Sequence, residues 1–192
     1  MGSWRNVTLV AVAVMLAAVG LGVFRYFAGD PNTPSYIFGC VAFAAPFFAG
    51  GLLAVVGDRR GHPLFVVAAG VGLYPISLVS IVMWPLLIPA ALLIWQGGRR
   101  IDDPTAAEAL VSVAIVAGLC GTFAMLVFHK DPATWQAPDG SSGSSDIITS
   151  TESLITLSIL AAVFVAAFLV PARDHHRQAD TNVPPGLDLA SP

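Results

Sequence analysis

The chain has 192 residues, of which 56% are hydrophobic and only 11% are charged, and its formal net charge at pH 7 is −3. Because soluble globular domains carry roughly a quarter charged residues, this composition argues against a water-soluble protein and predicts an integral membrane protein. The chain also lacks the basic excess that binding to phosphate backbones requires, which excludes nucleic acid as an expected partner.

Five long apolar stretches follow one another along the chain. A helix needs about 20 apolar residues to cross a hydrocarbon core of about 30 Å, and four of the stretches have 18 to 23 residues. The sequence therefore predicts an all-α integral membrane protein, a polytopic helical bundle. The stretches comprise residues 7–28, 35–56, 64–96, 106–128 and 153–170.

The first stretch also has the order of a secretory signal peptide, because the basic Arg5 precedes an apolar run. The run is longer than a usual signal core, however, and it ends in bulky residues around Phe24 and not in a small-x-small cleavage site. We therefore expect residues 7–28 to form an uncleaved membrane helix.

The third stretch has 33 residues and would be about 50 Å long as one straight helix, which exceeds the thickness of a bilayer core. Basic residues collect in cytoplasmic loops. If the stretch turns back, as segments 64–80 and 81–96, seven of the nine Lys and Arg lie inside, whereas a single crossing leaves four inside and five outside. The sequence therefore predicts about six membrane segments, or five if the central stretch crosses once, with both termini cytoplasmic.

The remaining segments are expected to lie outside the bilayer. The loop of residues 129–152 is predicted to be external, with a flexible Gly-Ser run at 140–145. The polar tail, residues 171–192, has too few apolar residues to pack and is expected to be a disordered cytoplasmic segment. Asp103-Pro104 is predicted to provide the N-cap and first residue of the fifth helix, and Thr149 to Glu152 has capping-box spacing for the sixth.

A polar stripe in the central stretch is the only candidate ligand-binding site. Its members step by three, three and four residues, which on a helix keeps them within about 120° of arc. Three prolines interrupt the same stretch, and broken helices line substrate sites in transporters. The structural alternative is that the hydroxyls bond to backbone carbonyls or neighbouring helices and the indole lies in an interfacial belt. The stripe consists of Tyr74, Ser77, Ser80 and Trp84.

No residue pattern indicates catalysis, metal binding or a cofactor, so we expect no catalytic or metal site, no cofactor and no enzymatic activity. Cys40 and Cys120 are isolated in apolar helices and are predicted to be packing residues. The His175-His176 pair is predicted to be solvated within the tail. Glu108, in the first turn of the fifth helix, could carry a proton, but it complements the helix dipole more simply.

Small residues four apart, such as Ala45 with Ala49 and Ala114 with Gly118, are typical of helix contact faces within a protein or with a partner. Together with the Ala, Val and Gly bias and the short Arg-bearing loops, they suggest a bacterial inner-membrane (cell membrane) protein.

The first functional hypothesis is a non-enzymatic subunit, scaffold or regulator of a larger membrane complex. Its partners would be the lipid bilayer and a membrane protein or a second copy. The alternative is a small transporter or channel for a neutral or apolar solute, using the proline-broken central hairpin.

Overall fold

A computed structural model describes residues 3–27, 34–79, 81–128, 131–136, 142–147 and 150–172. Within these ranges the protein is a bundle of α-helices with one short β-ribbon between the last two helices. In chain order the elements are α1 (Ser3–Phe27), α2 (Pro34–Arg60), α3 (Pro63–Leu78), a 3₁₀ segment (Ile81–Leu86), α4 (Leu87–Gly98), α5 (Ala106–Phe128), β1 (Asp131–Gln136), β2 (Ser142–Ile147) and α6 (Ser150–Leu169).

Four of the described helices are long and apolar enough to cross a membrane, which is compatible with a membrane location. They correspond to the predicted stretches outside the central one, and α5 matches its predicted bounds at both ends. α2 continues four residues beyond the predicted end at Val56 and stops at Arg60. The spans are Asn6–Phe24, Ile37–Arg60, Ala106–Phe128 and Thr151–Leu169.

The central stretch folds back on itself as a helical hairpin. α3 continues through Pro75, and the chain reverses in the 3₁₀ segment before α4 returns along α3. A Cβ on Gly70 would lie 2.8 Å from Ala90 O, and a Cβ on Gly97 would lie 2.9 Å from Pro63 O. Only glycine permits backbones to approach this closely, so these two positions set the spacing of the hairpin. By rise per residue the two helices are about 24 and 18 Å long.

The loop between α5 and α6 contains a β-ribbon that the sequence does not signal. β1 and β2 pair antiparallel, with Asp131 opposite Ile147 and Gln136 opposite Ser142. Residues 142–145 of the predicted flexible Gly-Ser run therefore belong to β2. Gly and Ser have low strand propensity, and pairing with β1 decides their conformation. The rest of the run, like residues 173–192 of the predicted tail, lies outside the described residues.

α2 forms the centre of the bundle and packs against α1, α3, α5 and α6. Its buried Phe47 meets Phe123 of α5 edge to face, with ring centroids 5.7 Å apart. Phe43 lies 5.8 Å from the same ring and extends the aromatic contact along α2. Because α1 and α6 both pack on α2, they flank one of its faces, and this arrangement creates the groove described below.

Candidate functional site

The predicted polar stripe divides between the core and the surface. Ser77 is fully buried, and its hydroxyl donates to Leu73 O at 2.8 Å, one turn earlier in α3. Tyr74 and Trp84 are both exposed. Ser80 lies outside the described residues. The structure thus does not bring the described members together, and Ser77 bonds back to its own helix, as the structural alternative predicts.

A tight turn between α2 and α3 positions two buried polar side chains. Gly61 has φ 75°, in the left-handed region that favours glycine. Its N–H donates to Asp58 O at 3.3 Å, while the His62 N–H donates to Gly57 O at 2.7 Å, which together make a Schellman motif. Pro63 then begins α3. As a result Asp58 and His62 are buried at the end of the bundle, with 4% and 1% of their surface exposed.

The turn places the His62 ring against the first turn of α5. His62 Nδ1 lies 2.5 Å from Glu108 Oε1, and Glu108 is as deeply buried as His62. The other carboxylate oxygen, Glu108 Oε2, accepts a hydrogen bond from the Thr105 N–H at 3.0 Å. The Glu108 N–H in turn donates to Thr105 Oγ1 at 3.2 Å. Glu108 therefore lies near the positive end of the helix dipole, as predicted, but it is also the partner of a buried histidine.

These reciprocal bonds identify Thr105 as the N-cap of α5, so the prediction of Asp103-Pro104 as the helix start is wrong. Thr105 and Glu108 together satisfy two backbone N–H groups, which is the capping-box arrangement. Asp103 has no matching acidic or amide residue three positions later, because that position is Ala106. The Thr-x-x-Glu spacing was readable in the sequence, whereas the contact with His62 was not.

The end of α4 completes the same region. The Arg100 guanidinium donates to Asp58 Oδ1 at 2.7 Å, and the Arg100 N–H donates to Gly97 O at 3.0 Å. Ser112 lies one turn after Glu108 on α5 and is also buried. We call this group the polar cluster, and it comprises Asp58, His62, Gln96, Arg100, Glu108 and Ser112. Four of its buried atoms have no hydrogen-bond partner among the described residues: Asp58 Oδ2, His62 Nε2, Gln96 Oε1 and Ser112 Oγ.

Arg60 connects the same end of the bundle to the C-terminal end of α6. Its guanidinium donates to Phe168 O at 2.5 Å and to Val170 O at 3.2 Å, and its Cζ lies 4.7 Å from the centre of the Phe168 ring. These carbonyls belong to the last turn of α6 and to the residue after its end, where no intrahelical donors remain. Arg60 therefore caps α6 from a neighbouring helix.

An apolar groove with a volume of about 810 Å³ lies over α2 between α1 and α6. Its lining residues carry no charge and no hydroxyl group, and on α2 they extend from Ile37 to Leu52. Ala45 and Ala49, predicted to mark a contact face, both belong to this lining. The small lining residues are Ala18, Gly22, Ala44, Ala45, Ala49 and Ala161.

The other candidate residues show no assembled site. Cys40 and Cys120 are not joined in a disulfide, and Cys120 Sγ lies 3.5 Å from Gly72 O on α3. The described residues do not bring three His, Cys, Asp or Glu side chains together as metal ligands. His175 and His176 lie outside the described residues.

Comparison with protein-family models, with curated proteins and with solved structures finds no match. The structure by itself defines the class of the protein: among the residues it describes, the fold is largely α-helical and four helices are long and apolar enough to cross a membrane. Its two distinguishing features are the apolar groove and the polar cluster.

Proposed function

We propose that this protein is a non-enzymatic subunit of a larger membrane complex, and that the apolar groove receives a transmembrane helix of a partner subunit. The observation that carries the proposal is the groove itself. It is wide, wholly apolar and placed along helices that are long enough to span a bilayer.

The size of the groove suits one half of a helix. The lining of α2 from Ile37 to Leu52 corresponds to about 22 Å along the helix axis. The groove is open on its outer side, so a helix would enter it by one face. A partner helix would therefore be seated with one face in the groove and the other face towards lipid or the rest of the partner.

The chemistry of the lining favours a helix over a lipid chain. Helices in membranes associate through close packing at small residues, and six Gly or Ala residues line the groove. A lipid chain has no peptide backbone, so small residues in the lining give it no particular advantage. Binding of lipid in the groove is the competing outcome of the experiment described next.

Site-directed crosslinking in the native membrane tests the occupant. A benzophenone amino acid is introduced at Val41, which lines the groove and is 51% exposed, or at Val113, which lies on α5 outside the groove and is 68% exposed. We expect a discrete protein adduct at position 41 and none at position 113. Mass spectrometry of the adduct should identify a membrane protein or a second copy of this chain. Lipid adducts alone at both positions would contradict the proposal.

A pair of adjacent alanines on α6 provides a matched test of the complex. Ala161 and Ala162 are both exposed, but only Ala161 lines the groove. Ala161→Leu partly fills the groove and should reduce the amount of partner that copurifies in mild detergent. Ala162→Leu should leave the ratio of copurified partner to this protein unchanged. Equal ratios for both variants would place the partner elsewhere on the protein.

We also propose six membrane segments in the bacterial inner membrane, with both termini cytoplasmic. Supporting this, the two ends of the α3–α4 hairpin lie together, as the approach of Gly97 to Pro63 demonstrates. The Arg residues that end α2 and those that follow α4 are therefore at the same end of the bundle, as expected if both loops face the cytoplasm.

The alternative function is transport of a neutral or apolar solute. It predicts that the purified protein, without a partner, equilibrates a solute across the membrane of liposomes.

A further inference from the structure

We propose that the polar cluster is an internal binding site for a small hydrogen-bond donor, either water or an ammonium ion. The inference is independent of the proposed function, because the cluster lies among α2, α3, α4 and α5 whereas the groove lies among α1, α2 and α6. It begins from four of the five buried side-chain atoms that have no hydrogen-bond partner among the described residues: Asp58 Oδ2, His62 Nε2, Gln96 Oε1 and Ser112 Oγ; the fifth, Thr156 Oγ1, belongs to α6.

Buried polar atoms without partners are costly in a low-dielectric interior, and native proteins usually satisfy them with protein groups or ordered water. Three of these atoms belong to side chains that are more than nine-tenths buried, those of Asp58, His62 and Ser112. Four of the five atoms belong to segments that meet at the α2–α3 turn, and this grouping favours a ligand that they share.

Contacts between the helices bring the segments that carry these residues to one end of the bundle. Asp58 and His62 belong to a single turn, closed by the hydrogen bond from the His62 N–H to Gly57 O. Arg100 joins the end of α4 to Asp58, and Gly97, next to Gln96, approaches Pro63 O at the start of α3. Glu108 joins α5 to His62 and brings Ser112, one turn along, to the same face.

The chemistry of the atoms selects a donor. Asp58 Oδ2 and Gln96 Oε1 are acceptors. His62 Nε2 accepts in the neutral ring that donates its Nδ1 hydrogen to Glu108, and donates in the imidazolium. Ser112 Oγ can accept or donate. A ligand that offers two or more N–H or O–H groups therefore satisfies these acceptors, whereas a ligand that only accepts hydrogen bonds does not.

The charge of the cluster is compatible with a small cation. It contains the carboxylates of Asp58 and Glu108 but only one guanidinium, that of Arg100, since Arg60 donates to the carbonyls of α6. The guanidinium of Arg100 is paired with Asp58, and the carboxylate of Glu108 lies beside His62. Ammonium would supply both a compensating charge and the required donors, whereas water would supply donors alone.

Thiol accessibility tests whether the site is hydrated. In a background with Cys40→Ala and Cys120→Ala, we compare Ser112→Cys with Ile115→Cys, which is buried on α5 one turn further along. Silver ion is applied to the folded protein, and the remaining thiols are counted with a maleimide after denaturation. We expect Ser112→Cys to react at least about tenfold faster than Ile115→Cys, because a thiol reacts according to its access to solvent. Equal, slow reaction at both positions would overturn the proposal.

Thermal stability in different salts then distinguishes the two ligands. The Tm of the purified protein is compared in ammonium, sodium and choline chloride at equal ionic strength, with Asp58→Asn as the variant. A higher Tm in ammonium alone, lost in Asp58→Asn, identifies ammonium as the ligand, because a bound ligand stabilises the folded state. Identical Tm values together with a reactive Ser112→Cys identify water. An equal increase in sodium and ammonium, absent in Asp58→Asn, would contradict the requirement for a donor.

Discussion

His62 and Glu108 meet with Nδ1 and Oε1 2.5 Å apart in a place from which solvent is almost completely excluded. The contact joins the turn between α2 and α3 to the first turn of α5, two segments that are 46 residues apart in sequence. Removing one partner of a buried pair leaves the other polar group without compensation, which costs more than the pair itself contributes.

The first prediction is a double-mutant cycle on this pair. His62→Phe or Glu108→Leu alone should lower the free energy of unfolding by about 3 kcal/mol, because each leaves a buried polar partner. The loss of unfolding free energy in the double variant should be clearly smaller than the sum of the losses in the two single variants. The measurement is reversible unfolding in mixed detergent micelles. Additive losses would show that the two side chains do not interact energetically.

The second prediction concerns the cap that Arg60 provides for α6. Arg60→Ala removes charged hydrogen bonds and a contact with the Phe168 ring, so unfolding free energy should fall by about 1 to 2 kcal/mol. The neighbouring Arg59 is exposed, and Arg59→Ala should change stability by less than about 0.5 kcal/mol. Thermal unfolding of the two variants in one detergent is the comparison. Equal losses of stability in the two variants would mean that net charge, and not capping of α6, stabilises this end of the bundle.

The third prediction uses two adjacent glycines at the end of α4. A Cβ on Gly97 would lie 2.7 Å from Val67 Cγ2 and 2.9 Å from Pro63 O, whereas a Cβ on Gly98 would have no atom within 4 Å. Gly97→Ala should therefore destabilise the protein by about 1 to 3 kcal/mol through overpacking. Gly98→Ala should be neutral or slightly stabilising, because alanine favours helix. If Gly97→Ala were also neutral, the close approach of α3 and α4 would not hold in solution.

The fourth prediction concerns topology. Reporter fusions after Arg100 and after Arg177 should behave as cytoplasmic, and a fusion at Ser142 should behave as external. Arg177 itself lies outside the described residues. Alkaline phosphatase and green fluorescent protein fusions report the two sides independently. An external signal after Arg100 would show that the α3–α4 hairpin crosses the membrane only once.

Much of the helical framework could be predicted from the sequence. The bounds of α5 follow from an apolar run, because the transfer of a helix into a bilayer depends on the summed hydropathy of its own residues. The return of the central stretch followed from its length and the Arg residues on either side. The β-ribbon could not be predicted, because Gly143 and Asp146 in β2 disfavour strands and the pairing with β1 is a tertiary contact.

The sequence by itself determined the class of protein and its long apolar helices, because these depend on residues near one another in the chain. Only the tertiary structure decided that His62 meets Glu108, that Ser77 faces the core while Tyr74 faces outward, and that α1 and α6 leave a groove over α2. These features depend on how each helix is rotated and spaced against its neighbours. In so uniformly apolar a chain, hydropathy distinguishes the faces of a helix poorly, and side-chain packing and hydrogen bonding decide which face is buried.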